Sequence, residues 1–196
     1  MNERPIIFNG DMVRAILSGR KTQTRRPVKA STSDLLDLQE KYPHKKYHID
    51  CPLGKSGDRL WVRETHHVGN NGYMYRADGD WIASLRKTGA FGCDDKWTPS
   101  IHMKRTASRI LLEITNVGVQ RLNSISHNDA AREGLVMLPA SGRYCINPGD
   151  QYFGGASHDA NEVFSWLWSS IYGEESWSAN SWVWVIEFKV VRNASK

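Results

Sequence analysis

Seven residues near the start of the chain, Arg20-Lys21-Thr22-Gln23-Thr24-Arg25-Arg26, carry four cations and two threonine hydroxyls. Guanidinium forks beside an ammonium and hydroxyls suit anions or planar polar ligands. The same set suits amide hydrolysis, which needs a nucleophile, a base to activate it and an acid to protonate the departing amine. Thr24 is a candidate nucleophile, Thr22 the competing hydroxyl, and Lys21 a candidate base. An ordinary lysine titrates near 10.4, whereas a base working near neutrality wants roughly 7 to 8. Burial and the neighbouring Arg20, Arg25 and Arg26 push in that direction. The bland alternative is a solvated basic hairpin, because charge runs usually mark exposed faces.

Which of these side chains can meet depends on the elements that carry them. Met12, Val13, Ile16 and Leu17 are spaced for one apolar face of a short helix over 12–18, with Asp11 as a cap and Gly19 as its stop. Residues three apart in a strand face opposite sides. Lys21 and Thr24 therefore meet only if Lys21 is still in the turn while Thr24 is in the strand, which Pro27 ends. Thr22, two residues from Thr24, would share its face.

The rest of the chain reads as short strands and helices in irregular order. A first strand spans 5–8. Residues 28–56 are polar, with a helical pattern at Leu35, Leu36 and Leu38 and a basic cluster at Lys41, His44, Lys45 and Lys46. Residues 60–65 alternate apolar and polar side chains, a half-buried strand. Glu64 shares the face of Leu60 and Val62, so its carboxylate must be paired or functional. Residues 73–77 read as a strand after the Asn70-Asn71-Gly72 turn, and 78–98 as a long loop. Strands over 107–114 and 117–122 are expected to form a hairpin around Thr115-Asn116. A short helix runs from a Ser126 cap to a Gly134 stop. Residues 138–158 read as a mobile glycine-rich loop. Asp159 to Glu162 resembles a capping box for a helix over 160–172. Its stripe of Val163, Phe164, Leu167, Trp168 and Ile171 reads as core, and a last strand spans 182–191.

At 196 residues, 40% apolar and 24% charged, the chain suits one soluble globular domain. No apolar run approaches the roughly 18 residues of a membrane span. The first residues lack the apolar segment of a secretory signal, so a cytoplasmic location is expected. A net charge of +5 and a pI near 9.2 permit nucleic acid as a partner without demanding it. Cys51, Cys93 and Cys145 are odd in number and far apart, which argues against a disulfide framework or a zinc knuckle. His66 and His67, adjacent in a strand, would point to opposite faces. We therefore expect no metal and no cofactor. Many short strands with turn punctuation favour a barrel.

Gly19-Arg20-Lys21-Thr22-Gln23-Thr24-Arg25-Arg26 resembles the G-x-K-T-x-T-x-R signature of the ASCH domain family, relatives of the PUA RNA-binding domain. Gly57-Asp58-Arg59-Leu60-Trp61-Val62-Arg63-Glu64 and Trp182-Val183-Trp184-Val185-Ile186-Glu187-Phe188 agree with it, in the family's order. The resemblance implies a single domain over 1–196: an α+β, mainly β fold, with a PUA-like barrel, short flanking helices and insertions near 28–56, 66–105 and 138–158. Some bacterial members with a similar Lys/Thr stretch hydrolyse the amide of N(4)-acetylcytidine. The triad this implies here is Lys21, Thr24 and Glu133, the last matched by its place on the short helix. Without the resemblance, Glu133 reads as an exposed helix-end carboxylate. Arg26, Arg63, Glu64 and Arg109 become candidates for holding the base or its sugar, with structural salt bridges as the alternative. The implied partner is a small modified nucleoside or base, with no membrane. Two other activities fit the family. In an RNA-binding module, Arg20, Lys21, Arg25 and Arg26 would grip phosphates and tryptophans could stack bases. In a ribonuclease, His66, His67 and His102 would matter.

Overall fold

The computed structural model describes residues 1–69, 72–89 and 96–191. In chain order it runs β1 (Glu3–Ile7), α1 (Gly10–Leu17), β2 (Gln23–Pro27), α2 (Ala30–Lys41), β3 (Arg59–Arg63), β4 (His66–Gly69), β5 (Gly72–Tyr75) and α3 (Trp81–Lys87). The second half runs β6 (Leu111–Arg121), α4 (His127–Arg132), β7 (Val136–Met137), β8 (Tyr144–Cys145), β9 (Ala156–Ser157), α5 (Ala160–Tyr172), α6 (Glu175–Ser178) and β10 (Trp182–Val191). Five strands form the main sheet in the order β1-β3-β6-β10-β2. β1 and β3 are parallel; the other pairs are antiparallel. The fold is α+β. The sheet stays open among the described residues, with β1 and β2 at its two edges. Across the gap, Arg26 Nη2 donates to the Ile7 carbonyl at 2.6 Å.

Alternation along the strands builds the core. Leu60 and Val62 on β3, Leu112 and Ile114 on β6, and Ile186 and Phe188 on β10 lie in one cluster with Phe8 and the Val13 and Ile16 face of α1. Val183, also on β10, belongs to a second cluster with Leu122, Leu135 and the Val163, Phe164 and Trp168 face of α5. β10 thus serves both clusters, which its ten apolar-rich residues make possible.

Several expectations change. The hairpin around Thr115-Asn116 is instead one continuous strand, β6. Glu187 faces Asn116 and Phe188 faces Ile114, so Thr115 is the extra residue of a bulge. Neither Thr115 nor Asn116 takes a positive φ, and the long β10 supplies partners on both sides of them. The region 138–158 is not a bare loop: it contains β8 and β9, which pair with each other and, through β8, with the preceding β7, and Cys145 on β8 is fully buried. The region 78–98 contains α3, anchored by the buried Ile82. The polar segment 28–56 is not all surface, since Leu36 joins the first core cluster and Ile49, Cys51 and Leu53 pack on it. The cap of α1 is Asn9, whose side chain accepts from Met12 N, while Asp11 pairs with Arg14. Asp159 caps α5 by accepting from Asn161 N rather than by a reciprocal box. No helix among the described residues is long and apolar enough to cross a membrane. Cys51 and Cys145 are free thiols; Cys93 and the Asn70-Asn71 part of the expected turn lie outside the described residues.

Candidate active site

Gly19, at a φ of +75°, ends α1 with a backbone that favours glycine. The amides of Arg20 and Lys21 then both donate to the Ala15 carbonyl. This double bond holds Lys21 in the turn, before β2 begins. Lys21 also forms an isolated antiparallel bridge with Glu133, flanked by Thr22 N donating to Arg132 O. Glu133 is presented by α4, whose N-cap Ser126 accepts from Asp129 N at 3.1 Å. Gly134 follows at a φ of +108°, and a Cβ there would lie 2.9 Å from Ala15 Cβ and 3.1 Å from Lys21 Cβ. Only glycine lets α4 approach the turn so closely.

The side chains meet in the same place. Lys21 Nζ lies 2.7 Å from Glu133 Oε2 and donates also to the Glu133 carbonyl at 2.8 Å. Arg25 Nη1 donates to the other carboxylate oxygen at 2.9 Å. The side chains of Lys21 and Arg25 are 0% exposed and that of Glu133 is 3% exposed. Burial pushes the Lys21 ammonium below the usual lysine range. The Glu133 carboxylate opposes this, and the Arg26 and Arg25 charges add to it. Buried ions hold their place only when paired and hydrogen-bonded, and here Glu133 answers both cations, with Asp129 a further partner of Arg25 at 3.8 Å.

Beside this cluster is a cavity of about 200 Å³. Its polar wall is Thr24, Arg25, Arg26 and Glu133. Its apolar wall comes largely from α5, where Phe164, Trp168 and Tyr172 follow one another at successive turns. The rings of Trp168 and Tyr172 are 4.4 Å apart. Such a slot suits a flat heterocycle. Lys21 sits behind Glu133 and does not line it. Thr22 lies before the strand, and its hydroxyl accepts from Arg132 Nε at 3.2 Å. The two threonines therefore differ: Thr24 opens on the cavity and Thr22 does not.

Of the four residues proposed from the sequence to hold the base or its sugar, Arg26, Arg63, Glu64 and Arg109, only Arg26 lines this cavity, with its guanidinium 5.1 Å from the centre of the Phe8 ring. Arg109 is held by two carboxylates, Glu64 at 2.9 and 3.0 Å and Asp78 at 2.6 and 2.8 Å. Burial raises the Glu64 carboxyl, and Arg109 opposes it. This pair answers the requirement that a buried Glu64 be paired. Arg63 donates to the Ile101 carbonyl and lies over the Trp61 ring. His66 bridges to Thr98 and is pushed below the usual histidine range by burial, and His67 Nδ1 is 3.1 Å from the Lys96 carbonyl. His102 is exposed. None of these lines the cavity. Among the described residues no three His, Cys, Asp or Glu side chains are grouped to hold a metal. Sequence reasoning missed Arg25 as a direct partner of Glu133 and α5 as a cavity wall. Strand alternation in Gln23-Thr24-Arg25-Arg26 could have separated Arg25 from Thr24. Nothing in the α5 stripe distinguishes a core face from a cavity face.

No protein-family model matches the chain, and no curated protein matches it in sequence. Solved structures that it is similar to include an Enterococcus faecalis protein described by the family model DUF984, at 13% identity and a TM-score of 0.38. That comparison covers 91% of this chain and 65% of the other, so the chain spans about two thirds of the length of that protein. Another is the ASCH domain from Lactobacillus crispatus, at 14% identity and a TM-score of 0.34, covering 96% of this chain and 79% of the other.

Proposed function

We propose that the protein is a metal-independent amidohydrolase that removes the acyl group from N(4)-acylated cytosine or cytidine, on a PUA-like fold of the ASCH kind. The observation that carries this reading is the buried Lys21–Glu133 pair, 2.7 Å apart, beside an aromatic slot that Thr24 lines. Moving the shared proton onto Glu133 leaves Lys21 a free amine and Glu133 a carboxylic acid. Those are the base and the acid that amide cleavage needs. Thr24 Oγ attacks the acyl carbon while its proton passes to Lys21. The C–N bond breaks as Glu133 gives its proton to the exocyclic nitrogen, which leaves easily because it is conjugated with the ring. Water then gives a proton to the Glu133 carboxylate and its oxygen attacks the threonine ester; as the C–O bond breaks, Lys21 returns its proton to Thr24 Oγ and the acid is released. Both side-chain hydrogen bonds of Lys21 go to Glu133, so Thr24 must come within its reach in the substrate complex, where nucleophile and base commonly tighten their contact. Arg26 is the remaining candidate for orienting the base.

The test is release of cytidine from N(4)-acetylcytidine by the purified protein, with and without chelator, beside an RNA mobility shift. Turnover is expected to survive the chelator. Loss restored by zinc would refute a metal-free mechanism, and an RNA shift without turnover would favour the binding module. Lys21→Ala and Thr24→Ala should each abolish turnover while the fold survives. A near-normal Thr24→Ala enzyme would require Thr22 or water as nucleophile, and Thr22→Ala decides between them.

A further inference from the structure

A second cavity, of about 390 Å³, lies against the first and shares Asn9, Met12, Glu133 and Leu167 with it. Where the first has an aromatic wall, the second has an aliphatic one of Leu135, Val136, Ile146 and Pro148, and its polar border is Asp11, Arg14, Arg20, Glu133, Asn147 and the backbone around Gly134. Arg14 is committed to Asp11 and to the Ala77 carbonyl. Arg20 is held in position by neutral groups alone: Nη1 donates to the Gly134 carbonyl at 2.8 Å and Nε to Ser18 Oγ at 3.0 Å. Among the described residues no carboxylate lies within 4.0 Å of its guanidinium. Together the two cavities set four arginines, Arg14, Arg20, Arg25 and Arg26, against two lining carboxylates, Asp11 and Glu133. Asp129, 3.8 Å from Arg25, is the further acid of the cluster. A fixed arginine with no acid partner, at a cavity with excess positive charge, is suited to an anionic oxygen ligand.

We infer that the second cavity takes a phosphate carried on the sugar of the substrate, so that the enzyme acts on an acylated cytidine nucleotide in preference to the free base or nucleoside. The inference rests on reading the first cavity as the acylcytosine slot. Arg20 is tied to the carbonyl of the residue that follows Glu133, which places the anion site next to the acid that would serve the exocyclic nitrogen. On this reading the ribose spans the boundary lined by Asn9, Met12, Glu133 and Leu167. Arg20 is on this account a specificity residue that touches neither the acyl group nor the base.

Binding tests this without turnover. Calorimetry would compare cytidine, cytidine monophosphate (5′ and 3′ isomers) and inorganic phosphate on the wild-type protein and on Arg20→Gln. One charge-assisted hydrogen bond corresponds to about tenfold or more in affinity, so at least one nucleotide isomer should bind that much more tightly than cytidine. In Arg20→Gln the ratio should fall toward one. Equal affinity of nucleotide and nucleoside for the wild-type protein overturns the inference. So does a ratio that Arg20→Gln leaves intact, or inorganic phosphate binding as tightly as the nucleotide. Should Arg20→Gln not fold, the wild-type comparison still decides. A protein that hydrolyses N(4)-acetylcytidine but shows no nucleotide preference refutes this inference alone. One that prefers the nucleotide but hydrolyses nothing refutes the proposed reaction alone.

Discussion

At the residue scale the Lys21, Arg25 and Glu133 cluster couples charge to stability and, in the proposed reaction, to rate. Glu133→Gln keeps the shape but removes the ionisable proton, and should lower the rate by about a hundredfold or more. Glu133→Ala leaves two buried cations facing each other, and should cost about 3–5 kcal/mol in chemical denaturation. Lys21 must be a free amine to accept the Thr24 proton, and burial lowers its value, so the rate should rise with pH through that lowered value. The lowered value for Lys21 also makes a stability statement. Between its folded value and the ordinary value near 10.4, the unfolded chain binds more protons, so stability rises with pH. That contribution is complete above about 10.4 and is lost as pH falls through the lowered folded value. Denaturation midpoints followed against pH should therefore climb more steeply in the wild-type protein than in Lys21→Met. Equal slopes would show that Lys21 is not depressed in the folded state.

At the element scale the site depends on how tightly α4 sits against the turn after α1. Gly134→Ala would force a side chain into a positive φ and against Ala15, at a cost on the order of 1–3 kcal/mol. It should also reduce turnover more than its stability loss explains, because it moves Glu133; a variant that loses stability but keeps full turnover would separate the helix from the chemistry. Much at this scale was legible from the chain itself. Gly19, Ser126 and Gly134 carry backbone demands that depend on the residue type alone, and the α1 and α5 stripes have helical spacing. Other features were not legible. Thr115-Asn116 has turn composition but lies in a strand, because pairing along β10 outweighs local preference. The order in which β7, β8 and β9 pair within 136–157 likewise depends on contacts that no local pattern encodes. The 2.7 Å approach of Lys21 to Glu133 spans 112 positions and had only the family resemblance to suggest it. The partnership of Arg109 with Asp78 and Glu64, rather than with a ligand, is a tertiary fact of the same kind.

At the scale of the whole molecule, the two core clusters share β10 as a common wall. Val183 and Ile186, both 0% exposed, stand three residues apart on it and face different clusters. The clusters should therefore unfold together. Trp182 and Trp184 belong to the first cluster and Trp166, Trp168 and Trp177 to the second, so tryptophan fluorescence samples both. Fluorescence and far-ultraviolet circular dichroism should then give coincident denaturant transitions, the test of two-state behaviour. Transitions that separate would mean that α5 and its cavity wall can detach while the sheet stays folded. Ile186→Ala, at the buried centre of the shared strand, should cost about 2–5 kcal/mol and lower both signals at the same denaturant concentration.

The pairing of β2 has a consequence for the growing chain. Its only strand partner among the described residues is β10, with Thr24 opposite Ile186. The stretch that holds Lys21 and Thr24 gains its place in the sheet only when β10, far downstream in sequence, exists. During synthesis it must wait, basic and unzipped, while about 160 residues are added. Closing so long a loop is slow and leaves strand edges open in the interval. A ribosome-bound chain stopped before Trp182 should thus lack the Lys21 and Glu133 cluster even if α4 and α5 have already formed. Activity that appears only once the ten residues of β10 have emerged would tie the birth of the site to that strand.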